Sequence, residues 1–281
     1  MRNCFSIKRP EGAGLRRFLA GLLLALVAAN NVAASELPSL SIDRERATRL
    51  GDRIWRNESN RSIDGLTAWN KGEEFASLGI GHFIWYPEGV PQKFQESFPK
   101  LLRSFREHAV TLPAWLATAR DPDCPWPSRA AFLDDFQSSR MKSLRKLLTE
   151  TIDIQSMHIA ERLTSALPKL MQTAPPSRKE EVKDKFLALF ASDGGLYAMV
   201  DYVNFKGEGV SPTERYQGVG WGLLQVLLEM PVKSPEALPS QFARAAAYVL
   251  ERRIELSPPE RGESRWRRGW MRRVDTYRYD S

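Results

Sequence analysis

The chain has 281 residues, with 41 Lys and Arg against 34 Asp and Glu for a formal charge of +7, and it is 42% hydrophobic and 27% charged. Those proportions belong to a globular protein with a core and exclude a wholly disordered, collagen-like or coiled-coil chain. Two cysteines exclude a disulfide scaffold and a Cys-rich zinc module.

In chain order, the first feature is a set of bases at Arg2, Lys8, Arg9, Arg16 and Arg17, followed by an apolar run from Phe18 to Ala29 and small residues at Val32-Ala33-Ala34-Ser35. This pattern predicts a signal peptide over residues 1–35, cleaved near Ala34-Ser35, and hence a periplasmic or secreted protein. An uncleaved N-terminal anchor is the alternative; no second long apolar run follows, so no stable membrane span is expected after cleavage. Removing residues 1–35 takes away five bases and one acid and leaves a charge of +3, which removes most of the case for a nucleic-acid partner. The one cysteine that remains is Cys124, so no intrachain disulfide forms, and this favours a bacterial periplasm.

The spacing of Ala47, Leu50, Gly51 and Ile54 predicts a helix from Ser41 to about Asn57, with Asp43 or Ser41 as N-cap. Residues 58–90 change character: glycines at 65, 72, 79, 81 and 89 interrupt short stretches rich in Trp, Phe and Ile, which reads as turns and short strands. After Pro91 helical segments are expected near 94–108, 128–147, 150–172, 178–191, 194–205, 219–230, 238–255 and 263–277, separated by proline-bearing breaks. The expected architecture is α+β and mostly helical, one domain over residues 36–281 with a small β-hairpin element near its N-terminus.

No G-x-S-x-G, H-E-x-x-H, P-loop, EF-hand or Rossmann fingerprint is present, and His82, His108 and His158 are too scattered for a histidine-rich metal site. Carboxylate chemistry remains. Extending the apolar stripe of the first helix by one turn reaches Glu58, so its carboxylate is expected at the helix C-terminus on the buried side. Desolvation and the negative end of the helix dipole would both raise its pKa. A carboxylic acid protonated near neutral pH is what cleavage of a glycosidic bond requires, because the leaving oxygen takes a proton as the bond breaks.

The run Trp69 to Phe83, and Leu78-Gly79-Ile80-Gly81-His82 within it, resembles the β-hairpin of the phage-type lysozymes, over roughly residues 45–86. The resemblance implies that Glu58 takes the general acid's place and Ser77 that of the hydroxyl positioning water or the intermediate. The family's second acid falls on Lys71, with Glu73 two residues on as the substitute. A second stretch, Tyr197 to Gly209 followed by Gly220-Trp221-Gly222-Leu223-Leu224-Gln225, is similar to lytic transglycosylases and goose-type lysozymes. It implies Glu208 as acid and Gln225 as a cleft residue, with Gly209 standing where that family usually has a serine.

Carboxyl groups about 5–5.5 Å apart suit a covalent intermediate and about 6.5–9.5 Å an activated water. A lone acid would favour internal attack by the sugar's own hydroxyl. His82, Trp85 and Tyr86 complete the expected sugar contacts, the aromatic rings as stacking platforms. The aromatic and arginine-rich run Arg261 to Arg278 reads either as a holder of anionic polymer or as a solvated helix face. The scheme calls for no cofactor and no metal. Its partner is peptidoglycan or a related polysaccharide; the alternative is a non-catalytic glycan-binding or scaffolding protein of lysozyme-like shape.

Overall fold

A computed structural model describes residues 40–231 and 236–278; the expected signal peptide lies outside the described residues. The described chain is mostly helical with a small antiparallel sheet, and no helix in it is long and apolar enough to cross a membrane.

Helix α1 runs Arg44–Ser59, capped by the Asp43 carboxylate, which accepts from the Arg46 N–H at 2.7 Å. Its buried face is Ala47, Leu50, Gly51, Arg53 and Ile54, the predicted stripe with one arginine added. Three short strands follow, β1 (Thr67–Ala68), β2 (Ala76–Leu78) and β3 (Phe83–Trp85), paired in that order. Then come α2 (Phe98–Glu107), α3 (Arg129–Asp134), α4 (Ser139–Glu150), α5 (Ile152–Thr164), α6 (Leu167–Thr173), α7 (Lys179–Ala191) and α8 (Asp193–Lys206). A hairpin of β4 (Arg215–Tyr216) and β5 (Val219–Gly220) precedes α9 (Leu223–Glu229), α10 (Leu238–Leu256) and α11 (Arg267–Asp275).

Two predicted helices are split. The segment expected at 128–147 breaks where Ser138 caps α4 by accepting from the Met141 N–H. The segment expected at 150–172 breaks before Pro168, which fixes the first turn of α6. The helix expected from 219 instead opens with the β4–β5 hairpin, turned by Gln217 and Gly218 at positive φ.

Helix α8 organises the rest. Every residue from Gly194 to Tyr202 is buried, as expected for a helix apolar nearly all round. It packs against α1, α5, α7 and α10, while α10 holds α11 and the closing 3-10 turn Thr276–Arg278. The C-terminal ends of α1 and α8 therefore come out of a common core.

The β2–β3 turn is pinned to α5 by Gln155, a buried carboxamide. Its Oε1 accepts from the Ile80 N–H at 3.0 Å, and its Nε2 donates to the Leu148 carbonyl at 2.6 Å. Gly79 sits at φ +67°, and a Cβ there would lie 2.2 Å from Gln155 Oε1; one at Gly81 would lie 2.7 Å from the Phe83 ring. The Gly-Ile-Gly spacing is thus what lets the turn press against α5 and deliver His82 to the end of α1.

Candidate active site

Glu58 lies in the last turn of α1. The residue is exposed, but its side chain keeps only 26% of its accessible area. Its Oε1 accepts from Arg273 Nη2 at 2.6 Å, and its Oε2 lies 3.4 Å from His82 Nε2. Arg273, on α11, also donates from Nε and Nη2 to the two oxygens of Asp201, at 2.8 and 2.7 Å. Asp201 is buried in α8 and accepts a further hydrogen bond from the Tyr277 hydroxyl. One guanidinium therefore ties α1, α8 and α11 together behind the carboxylate.

This arrangement reverses the expected titration of Glu58. The hydrogen bond to His82 and the charge of Arg273 hold the carboxyl below its ordinary value, against burial, which pushes it up. Glu58 is an ionised carboxylate at neutral pH. Helix position and burial alone predict the opposite; the groups that lower it, His82 first and then Arg273, arrive from 24 and 215 residues away.

Glu58 and His82 line a recess of about 420 Å³ with Ile80, Gln95, Ser97, Arg162, Asn204 and Arg273 among its walls. A neighbouring cavity of about 50 Å³ shares Arg162, Val203 and Asn204 with that recess and adds Glu208. Glu58 and Glu208 thus line neighbouring cavities with a shared wall, the first in the last turn of α1 and the second just past the C-cap of α8, where Gly207 takes φ 81°. Glu208 accepts from Lys169 Nζ at 2.8 and 3.0 Å.

The Gly222-Leu223-Leu224-Gln225 start of α9 holds Glu208 in place from behind. Leu223 and Leu224 N–H groups donate to the carbonyls of Gly207 and Glu208, each at 3.0 Å. Gln225 accepts from the Gly222 N–H at 2.9 Å and donates to the Gly209 carbonyl at 3.1 Å. A Cβ on Gly222 would fall 2.1 Å from the Gly209 nitrogen, so the two backbones touch. Gln225 is therefore a brace under Glu208 and does not line the recess.

The other expected contacts are elsewhere. Ser77 is buried in the middle of β2, between Ala68 and Ile84. Glu73 lies in the turn before β2, where its carboxylate accepts from Asn70 Nδ2 at 3.1 Å. Trp85 is wholly buried against Phe98, Trp115 and Trp126, with its indole N–H on the Pro122 carbonyl at 2.8 Å. Tyr86 is equally buried, packed edge-on to Phe75, its hydroxyl accepting from the Phe94 N–H. These rings are core and offer no face to a ligand: both neighbours are buried, Trp85 among Phe98, Trp115 and Trp126 and Tyr86 against Phe75, so both sides of the chain are covered here.

Sequence reasoning missed Arg162, Asp201 and Arg273. Asp201 carried a signal, as an acid in the otherwise apolar run Leu196 to Val203. Arg273 was hidden among the arginines of the C-terminal run. Among the described residues no group of three or more His, Cys, Asp or Glu side chains is placed to hold a metal ion. Comparison of the chain with family models, with curated proteins and with solved structures finds no match.

Proposed function

We propose that the protein is an exported, lysozyme-like glycosidase that cleaves the glycan strands of peptidoglycan, with Glu208 as the helix-end general acid and Glu58 as its carboxylate partner. The observation that carries this reading is the pair of carboxylates at the ends of α1 and α8, lining two neighbouring cavities that share the walls Arg162, Val203 and Asn204. Cleavage of a glycosidic bond needs a proton for the leaving oxygen and negative charge facing the developing oxocarbenium ion. Glu58, kept ionised by His82 and Arg273, suits the second task, either stabilising the cation directly or taking a proton from water. Arg273 has a second anchor in Asp201, so it stays in place when Glu58 takes up a proton. Glu208 is left for the first task, and the contact of Gly222 with Gly209 limits how far its backbone can move.

One observation favours the non-catalytic alternative, a glycan-binding protein of the same shape. Glu208 is matched by the Lys169 ammonium, a contact that a leaving-group oxygen would have to displace. The deciding experiment is release of soluble muropeptides from purified peptidoglycan by the wild type, Glu58→Gln and Glu208→Gln. The glycosidase reading expects release by the wild type and its loss in both variants, with reducing or anhydro ends separating hydrolase from lyase. A folded wild type that pellets with peptidoglycan and releases nothing establishes the binding protein instead.

A further inference from the structure

The recess holds a cation with no counter-charge of its own. Arg162, on α5, lines both the large cavity beside Glu58 and the small one beside Glu208. The other cations of the site are committed: Arg273 to Asp201 and Glu58, Lys169 to Glu208. Among the described residues the Arg162 guanidinium has no hydrogen bond and no ion pair; Glu208 acts on it through longer-range attraction. As a residue it is exposed, yet desolvation at its guanidinium pulls its pKa down.

A guanidinium does not shed its proton to relieve that cost. It is relieved by an anion, and an arginine fork matches a carboxylate with two parallel hydrogen bonds. Gln95, Ser97 and Asn204 stand on the same walls as neutral donors. The two acids of the site are each already paired, so an incoming anion meets Arg162 as the only cation there without a partner among the described residues.

We infer that Arg162 is a specificity residue that binds a carboxylate carried by a sugar of the glycan, so that the substrate class is acidic polysaccharide and neutral chains are poorer ligands. This rests on the glycan reading above and adds a chemical requirement to it. Two kinds of sugar carry the group: muramic acid, through its lactyl carboxylate once the peptide is removed, and uronic acids, through C6.

The test is calorimetric binding at low salt with the full chain carrying Glu58→Gln, so that turnover does not intervene. The probes are a peptide-free GlcNAc–MurNAc hexasaccharide, hexagalacturonate and chitohexaose. The expected result is that one of the acidic glycans binds about ten-fold or more tighter than chitohexaose, about 1.4 kcal/mol, and which of the two it is names the source of the carboxylate. Adding Arg162→Gln should bring the ratio of acidic to neutral affinity to about one, and Arg162→Lys should restore part of the preference. Equal affinity for acidic and neutral glycans, or a preference that survives Arg162→Gln, overturns the inference while leaving the glycan reading intact. No binding by any of the three overturns both.

Discussion

Replacing Arg273 by methionine tests the interaction that ties α1, α8 and α11 together and, with His82, lowers the pKa of Glu58. The substitution keeps an apolar stem and removes the guanidinium, leaving Asp201 the hydrogen bond from the Tyr277 hydroxyl. Asp201 has 7% of its side chain exposed. Removing one member of a buried ion pair costs about 3–5 kcal/mol, because the other charge stays desolvated. Arg273 is itself one-third exposed, so water partly re-solvates the gap and the lower end, about 3 kcal/mol, is expected. Asp201→Asn removes the charge along with its need for a partner and should cost less, about 1–2 kcal/mol. The double variant should then fall short of the sum by about 2 kcal/mol. Urea unfolding at pH 7 measures all three. A loss under about 1 kcal/mol for Arg273→Met, or strict additivity, refutes the coupling. The same variant carries an electrostatic prediction: Glu58 loses a lowering charge while its burial persists, so its carboxyl titrates at higher pH than in the wild type. In the wild type a depressed carboxyl pKa means that Glu58 adds stability above the unfolded carboxylate's titration and loses it as pH falls through the folded value. That acid-side loss should shrink in Arg273→Met.

Other parts of the molecule yield further expectations. His158 is half-buried, with its Nε2 buried and unpartnered, and desolvation drives its pKa down to about 4. The unfolded chain takes up that proton first, so stability falls as pH drops from about 6.5 towards 4, by about 2 kcal/mol at pH 5. His158→Phe should remove that part of the slope in paired urea curves at pH 7 and 5, and identical slopes would contradict it. Burial between the Phe205 and Trp270 rings lowers Lys206 to about 7, so NMR of its ammonium should show a midpoint near neutrality, and one above about 9 would refute the burial. Gly79→Ala forces a Cβ into Gln155 at positive φ and should cost about 2–4 kcal/mol by thermal or urea unfolding. Most of that should disappear when compared in a Gln155→Ala background, and an undiminished loss there would count against the clash.

How far the sequence leads depends on whether a property is local or arises from residues far apart in the chain. The apolar stripe of α1 and its Asp43 cap are local, and both are where spacing puts them. So are the glycines at 79 and 81, whose need for close approach is written in their lack of a side chain. The split of the 150–172 helix at Pro168 was also within reach, since proline favours a first turn. Burial of Trp85 and Tyr86 was not: an aromatic residue serves equally as platform or core, and the choice rests with Trp115, Trp126 and Phe98, which come from other segments. Gln225 was drawn into the site by its motif, yet the motif's glycines serve to seat α9 against the Glu208 backbone, and the carboxamide braces that contact.

The charge state of Glu58 shows the division most sharply. Everything local to it, the helix terminus and the buried face, argues for a raised pKa, and that argument is sound as far as it goes, since burial does push the carboxyl upward. It is outweighed by His82, brought by a hairpin 24 residues on, and by Arg273, brought by a helix at the far end of the chain. At an ordinary surface a single ion pair changes little, but here the arginine is fixed by a buried aspartate before it meets Glu58. The position of an acid can thus be read from periodicity, whereas its protonation belongs to the tertiary structure. For the same reason, any division of acid and base roles between Glu58 and Glu208 in the proposed reaction would turn on what Arg273 and Lys169 do when a ligand displaces water beside them.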